Sequence, residues 1–190
     1  MPSRALERWR TIRLPRLAEL EEQCRAVLAA KAAKRAAAEE IARAYVLMLS
    51  GHFQGFCREL YSEAADALVT HLEKARKGLA AVFKLQVAAQ TKLDHGNPTW
   101  ENIRADFARL GVDLRVELGD GPEATARLRT LAELNRIRNA IAHDDRKVAD
   151  VIDLDEAVTW RETCTELAGM IDDATHRKLK RVLRTNPWNK

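Results

Sequence analysis

The residues best suited to chemistry lie together between positions 134 and 143, in the segment LNRIRNAIAH. Asn135, Asn139 and His143 follow one another at intervals of four residues, and we call these three the polar ridge; Arg138 directly precedes Asn139. An imidazole, with a pKa of about 6.5, takes up and releases protons near neutral pH. A guanidinium stays charged and matches the oxygens of a phosphate. These residue types therefore suit proton transfer beside a negatively charged group.

The spacing of the segment predicts a helix with one buried face and one polar face. With about 3.6 residues per turn, Leu134, Ile137 and Ile141 fall within about 60° of one another and form the buried face. The polar ridge falls within about 80° on a different face. A helix that only covers a core does not need such a ridge, so we take this segment as the candidate functional site.

Arg138 lies at the border between the two faces, about 140° from His143 on an ideal helix. In a straight helix of one chain these two side chains would not converge. They would meet if the helix frayed at Ala142, or if two copies of the chain packed face to face about a two-fold axis. The second arrangement would bring two arginines and two histidines into one cleft, and the sequence leaves both arrangements open.

The elements that must position this segment are predicted to be helices. Hydrophobic residues make up 46% of the chain but aromatic residues only 5%, and alanine, the best helix former, is frequent. Strand-rich domains need more β-branched and aromatic residues, so the composition favours an all-α protein over a β-sandwich, a collagen or a disulfide scaffold. We predict one domain over residues 1–190, with a core bundle of four to six antiparallel helices over residues 15–185.

Apolar spacing and capping signals place the individual helices. The first two predicted helical segments are 15–75, with an optional bend at 31–40, and 79–91. The third helix has Asn97 as its cap and Pro98 in its first turn, and it stops at Gly111. The fourth segment is 122–143, and a last helix, capped by Asp153 or Asp155, reaches Leu183. Residues 112–121 between them are predicted as a connector, extended rather than helical.

The first helical segment carries an apolar stripe and a smooth face. Phe53, Phe56 and Leu60 form the stripe, which we expect to be buried. Gly51 and Gly55 have no side chains and are four residues apart, so another backbone can approach them. This smooth face favours contact with a second helix or with a partner protein.

The positive charge of the chain lies at its two ends. The formal net charge is +4, but residues 1–16 carry +4 and residues 176–190 carry +6, which leaves −6 for the remainder. Such clusters attract the phosphates of nucleic acids; the alternative is a pair of solvated helix ends, since cations suit a helix C-terminus. Trp9 and Trp188 lie near these ends and would either stack on bases or pack against the bundle.

Other signals concern the cellular compartment of the protein and its need for a metal or cofactor. Cys24, Cys57 and Cys164 are odd in number and far apart, which favours reduced thiols. There is no apolar run of about 18 residues and no apolar signal segment, so we expect a cytoplasmic protein without membrane contact. The histidines match no metal-binding spacing, and we expect neither a metal nor a cofactor.

Two motifs resemble the HEPN superfamily. The run RNAIAH, residues 138–143, is similar to its Arg-x4–6-His signature in the form Arg-Asn-x-x-x-His. The run HFQGFCRELY, residues 52–61, resembles the aromatic-x-Gly-Phe-x-x-x-Leu helix of the RiboL-PSP-type and related bacterial branches. The order of the motifs also fits, and the resemblance covers residues 15–185.

The resemblance implies a homodimeric, metal-independent endoribonuclease with an HEPN-like bundle, of the toxin or abortive-infection type directed against phage. By carry-over, Arg138, Asn139 and His143 are the site residues and form a composite site between subunits. RNA contains its own nucleophile, the 2′-hydroxyl, so the protein has only to move protons and offset phosphate charge. The implied product carries a 2′,3′-cyclic phosphate, and the implied partners are RNA, a second copy, and an antitoxin or other defence-system protein.

Two non-enzymatic interpretations stand beside this one. The basic ends suit a module that binds RNA or nucleotides without cutting, and the Gly51/Gly55 face suits a helical adaptor for proteins. In both cases His143 would be favoured at a helix C-terminus by the helix dipole, and Arg138 would merely pack its aliphatic stem.

Overall fold

A computed structural model describes residues 1–29, 35–143, 152 and 154–188, and the described chain contains helices and no strands. The helices are α1 (Arg4–Arg8), α2 (Leu14–Ala29), α3 (Arg35–Ala75), α4 (Lys77–Ala88), α5 (Lys92–His95), α6 (Trp100–Ala108), α7 (Leu114–Leu118), α8 (Pro122–Ala142) and α9 (Leu154–Leu183), with one π-helical turn, Trp9–Arg13, between α1 and α2. Five of the described helices have at least twelve residues: α2, α3, α4, α8 and α9. The predicted all-α bundle is confirmed.

The long helix α3 is the centre of the bundle and contacts α1, α2, α4, α8 and α9. Its apolar stripe is buried as predicted, because Phe53, Phe56 and Leu60 have no exposed surface. The ring of Trp9 packs edge-on against Phe53, with ring centres 6.0 Å apart at 74°, and lies equally close to Phe56. Trp188 is also buried, with 4% of its surface exposed. Packing against the bundle, rather than stacking on bases, is therefore the interpretation confirmed for both tryptophans.

Gly55 makes room for a guanidinium of the same chain, which corrects the prediction of a smooth face for another backbone. A Cβ atom at Gly55 would lie 3.0 Å from Nη2 of Arg13. The same nitrogen donates to Oε1 of Glu59 at 2.8 Å, and Arg8 approaches that oxygen to 3.4 Å. The missing side chain thus lets the segment before α2 pack closely on α3. Gly51, one turn earlier, faces open space.

The charged ends of the chain are paired with acids from other elements. Arg4 lies 3.5 Å from Glu63 of α3. At the other end, Arg177 and Arg181 of α9 both form ion pairs with Glu117 of α7. Part of the positive charge that the sequence places at the ends is therefore used inside the fold.

Two predicted helix borders need correction in the region that precedes α8. The cap of α6 is Thr99, whose hydroxyl accepts from the Asn102 amide at 3.2 Å, so the helix begins after Asn97 and Pro98 rather than at them. The segment 112–121 is not a simple connector, because Asp113 caps the short helix α7. Thr99 outcompetes Asn97 because it directly precedes the first helical residue, where its oxygen reaches the free amides of the first turn.

The remaining borders agree with the sequence to within a few residues. Helix α4 lies two to three residues N-terminal to the predicted 79–91, and α9 ends at Leu183 as predicted. Asp155 lies inside the first turn of α9 rather than at its cap, and Asp153 is outside the described residues. Of the optional bend at 31–40, residues 31–34 also lie outside them, and residues 35–40 belong to α3.

Three further observations concern the chain as a whole. The cysteines are all free and buried. In the part of the chain that the structure describes, no helix is long and apolar enough to cross a membrane. The same part contains no group of three or more histidine, cysteine or acidic side chains arranged to hold a metal ion.

Candidate functional site

The candidate site lies at the C-terminal end of α8, where the fold separates the two predicted faces. Leu134 and Ile137 are buried, with 0% and 5% of their surface exposed, and the partly buried Ile141 packs against the same core. Arg138 and Asn139 are half-buried, whereas His143 is exposed. The predicted core face is therefore confirmed, and the end of α8 leaves its polar side chains beside solvent.

His143 is the first residue beyond α8 and caps its C-terminus. Its backbone N–H donates to the carbonyl of Asn139 at 3.0 Å, and its φ and ψ of −104° and 10° depart from the helical values. The helix therefore stops at Ala142, the position at which the sequence allowed fraying. Among the described residues, none forms a hydrogen bond with the imidazole of His143, and residues 144–151 that follow it lie outside the description.

Asn139 joins Arg138 to the loop before α6. Its Oδ1 accepts a hydrogen bond from Nη1 of Arg138 at 3.3 Å and another from Nδ2 of Asn97. These two donors identify Oδ1 as the inward atom and leave Nδ2 of Asn139 without an acceptor in the described structure. Arg138 and Asn139 thus form one polar unit with donors on both residues, in which the amide does not hold the imidazole of His143.

Asn135, the third member of the polar ridge, is buried rather than displayed. Only 4% of its surface is exposed, and its Nδ2 donates to the carbonyls of Leu131 at 2.9 Å and Pro98 at 3.2 Å. Its Oδ1 is buried and has no hydrogen-bond partner within the described ranges. Asn135 therefore fastens α8 to the segment that leads into α6.

That segment, residues 96–99, is held from three sides. Gln54 of α3 donates to the carbonyls of Leu93 at 2.6 Å and Gly96 at 2.9 Å. The side chain of Asn102 in α6 donates to the carbonyl of Asn97 at 2.9 Å. A Cβ atom at Gly96 would come within 2.8 Å of Nδ2 of the same side chain. The glycine is thus needed for a close approach, and Asn97 is placed beside Asn139 by both α3 and α6.

Asn97 is the site residue that sequence reasoning missed. Its position before Pro-Thr-Trp predicts a helix cap, and nothing in the local pattern points to Asn139, which is 42 residues away. An asparagine beside a second capping residue, Thr99, was the available signal, since only one of the two could cap α6.

His52 and Glu59 of the second motif point to packing rather than to a reactive cleft. Burial, reinforced by the nearby guanidinium groups of Arg13 and Arg16, holds the pKa of His52 below its ordinary value. Glu59 pairs with Arg13 and Arg8, and Arg58 pairs instead with Asp94 at 2.8 Å. These ion pairs join α3 to the segment before α2 and to α5.

Comparison with known proteins agrees with both motifs. The family model described as RiboL-PSP-HEPN matches residues 14–176 of the chain, which includes the segment around Gly55 and the whole of α8. Searches of curated proteins and of solved structures give no significant match.

Proposed function

The chain belongs to the RiboL-PSP-HEPN family, and from that premise we propose that it is a metal-independent endoribonuclease of the toxin or phage-defence type. HEPN proteins are often ribonuclease-like, and the all-α bundle agrees with the family. The specific role, the dimeric site and the catalytic residues are the substance of the proposal.

The observation that carries the proposal is the polar unit at the end of α8. Arg138 and Asn139 are joined through Oδ1 of Asn139 at 3.3 Å, and both remain partly open to solvent. His143 follows at the exposed end of the same helix. A fixed guanidinium and an accessible imidazole on one helix end supply charge and proton transfer, the two functions that RNA cleavage requires.

In the proposed reaction, the RNA 2′-oxygen attacks the adjacent phosphorus and the 5′-oxygen leaves. One His143 removes the proton from the 2′-hydroxyl, and the His143 of a second copy donates a proton to the departing 5′-oxygen. Arg138 donates to the non-bridging phosphate oxygens, whose charge grows in the transition state. The Nδ2 of Asn139, which has no acceptor within the described ranges, is a further donor for these oxygens.

A second copy is part of the proposal because the end of α8 itself carries a single imidazole, that of His143. Arg138 and His143 diverge by about 140° on an ideal helix. A two-fold axis beside the end of α8 would place two sets of these residues in one cleft. An exposed His143 is available for such a cleft, whereas a buried histidine would not be.

The direct test measures RNA cleavage by the purified protein in EDTA. We expect the wild-type protein to cut RNA and the His143→Ala and Arg138→Ala variants to lose at least about a hundredfold in rate, since one general acid–base role contributes about 10²–10⁴-fold. His71→Ala and Arg115→Ala, which remove exposed side chains outside the site, are the matched controls and should cut normally. Equal cleavage by all five proteins would contradict the assignment, and binding without cleavage would favour the non-catalytic RNA-binding module.

The chemical groups at the ends of the RNA fragments provide an independent check. Attack by the 2′-oxygen predicts fragments that end in a 2′,3′-cyclic phosphate and new 5′-hydroxyl ends. An RNA with a 2′-O-methyl group at the cut nucleotide should resist cleavage there. Fragments with 3′-hydroxyl ends would show that a different nucleophile is used.

The proposed toxin role is tested in cells rather than in solution. Induced expression of the wild-type chain should stop growth, and His143→Ala should not. A neutralising partner, if it covers the cleft, should co-purify with both proteins, because His143→Ala removes only one side chain. Growth arrest by both proteins would separate toxicity from the proposed cleavage.

A further inference from the structure

A groove runs from Asn139 along the side of α8 to the start of α6. It encloses about 480 Å³, within the range of sites for small molecules. The residues that matter in its wall are Trp100, Leu128, Arg129, Ala132, Asn135 and Asn139. Because Asn139 belongs to the proposed catalytic unit, the groove is continuous with that site.

In the described structure, the groove combines an aromatic wall with one unpaired cation, and a buried polar atom without a partner lies in its wall. Trp100 is half-buried and lines the groove. Arg129 is exposed, and the described residues give its guanidinium no ion pair or hydrogen bond. Asn135, which is 96% buried, carries the oxygen Oδ1 that has no donor in the described structure.

We propose that this groove binds the nucleobase next to the cleaved phosphodiester, stacked on Trp100. The proposal rests on the ribonuclease function proposed above. Two groups match two parts of a nucleotide: the indole of Trp100 offers a face for the base, and the guanidinium of Arg129 offers a charge for a flanking phosphate. Stacking accepts every base because each has a π-face, so the groove positions RNA without requiring one sequence.

Alternatives to a base fit the groove less well. An apolar peptide side chain would use Trp100 and Leu128 but would leave Arg129 unpaired. An isolated phosphate would use Arg129 but not the indole. A nucleotide uses both the indole and the guanidinium.

Intrinsic fluorescence gives a test that does not depend on cleavage. The other three tryptophans, Trp9, Trp160 and Trp188, are only 0%, 2% and 4% exposed, so a ligand that quenches the emission reports on Trp100. The protein used is His143→Ala, which by the proposal above binds RNA without cutting it. We expect a short mixed-sequence RNA to quench this protein and to leave the Trp100→Phe version unquenched.

Affinity for the same labelled RNA identifies the contact. Base stacking on an aromatic side chain is worth about 1–3 kcal/mol, so Trp100→Ala should raise the Kd by roughly fivefold to a hundredfold, and Trp100→Phe should restore most of the affinity. Because Trp100 also packs against the core, Arg129→Gln is a second variant on an exposed position. It should weaken binding and reduce its salt dependence, while Arg115→Gln should do neither.

An RNA that lacks one base at the cut site distinguishes the outcomes. Its affinity should no longer depend on Trp100; an equal effect of Trp100→Ala on intact and abasic RNA would overturn the stacking proposal. Quenching by an apolar peptide but not by RNA would overturn it in favour of a protein partner. Cleavage by the wild type without quenching would refute base binding in the groove and leave the ribonuclease proposal standing. Quenching without cleavage would support base binding in the groove and refute the ribonuclease proposal.

Discussion

At the scale of single residues, Asn139 is the position at which the fold and the proposed chemistry meet. Its oxygen accepts from Arg138 and Asn97, and its nitrogen has no acceptor among the described residues. The side chain therefore depends on being an amide, with an acceptor on one side and a donor on the other. A carboxylate has the same shape but offers only acceptors.

Asn139→Asp should for this reason reduce cleavage without unfolding the protein. The new oxygens still accept from Asn97 and Arg138, but the added negative charge repels the phosphate and neutralises the guanidinium. We expect the rate to fall by about tenfold or more, measured as kcat/KM on an RNA substrate. Asn186→Asp, which keeps a hydrogen-bond acceptor outside the site, is the control; a normal rate in Asn139→Asp would show that its nitrogen is not used.

His52 makes a second residue-scale prediction, on the stability of the protein in mild acid. Burial and the neighbouring Arg13 and Arg16 lower the pKa of His52 in the folded chain, so the unfolded chain takes up a proton first as the pH falls. The neutral His52 therefore contributes fully to the free energy of unfolding above the unfolded-state pKa of about 6.5, and this contribution decreases as the pH falls below that value. Urea unfolding at pH 7.5 and 5.5 should show a larger loss for the wild type than for His52→Gln. Substituting the exposed His71 by Gln is the control, and an equal loss in His52→Gln would exclude the burial effect.

At the scale of the elements, α3 and α6 hold the loop that positions Asn97. Gln54 of α3 donates to the carbonyl of Gly96 in this loop and to that of Leu93 in α5, and Asn102 of α6 donates to the carbonyl of Asn97. Helix α8 is fastened to the same segment through Asn135. The geometry at the end of α8 thus depends on how α3, α6 and α8 pack against one another.

The two glycines of α3 should respond differently to alanine. Gly51 faces open space, so Gly51→Ala should stabilise the helix by about 0.5–1 kcal/mol. At Gly55 the new methyl group would meet the Arg13 guanidinium at 3.0 Å and disturb its bond to Glu59, which offsets that gain. The free energy of unfolding in urea should therefore be higher for Gly51→Ala than for Gly55→Ala; the reverse order would mean that Gly51 is covered in the native protein.

The cap of α6 gives a prediction for a single hydroxyl. Thr99→Ala removes the acceptor for the Asn102 amide and should lower the free energy of unfolding by about 1 kcal/mol. Thr99→Ser keeps the oxygen and should remain close to the wild type. If thermal and urea unfolding found Thr99→Ala unchanged, the helix would be capped by another group.

At the scale of the whole molecule, the proposed site is shared by two copies, and this makes the activity of mixtures informative. If one cleft needs His143 from both chains, only wild-type dimers are active, and activity follows the square of the wild-type fraction. Co-refolding equal amounts of wild-type and His143→Ala chains should therefore leave about a quarter of the activity. If half of the activity remained, each chain would work alone.

The accuracy of the sequence-based predictions depended on how far apart the interacting residues lie. The faces of α8 and the stripe of α3 were predicted because their residues repeat every three or four positions along one helix. Asn97, the guanidinium beside Gly55 and the groove around Trp100 were not, because each depends on contacts between separate helices. The identity of Arg138, Asn139 and His143 as site residues remains a prediction, supported by the family match and by the polar unit.

The order of residues along the chain determined that this protein is helical, which face of each long helix is apolar, and that an arginine, an amide and an imidazole occur near the end of one helix. Helical periodicity is a property of neighbouring residues, so a linear pattern is enough to reveal it. Only the tertiary structure decided that Asn97 holds Asn139 and that both terminal tryptophans are buried. Those outcomes depend on which surfaces exclude water from each other when the helices pack, and that competition involves the whole chain at once.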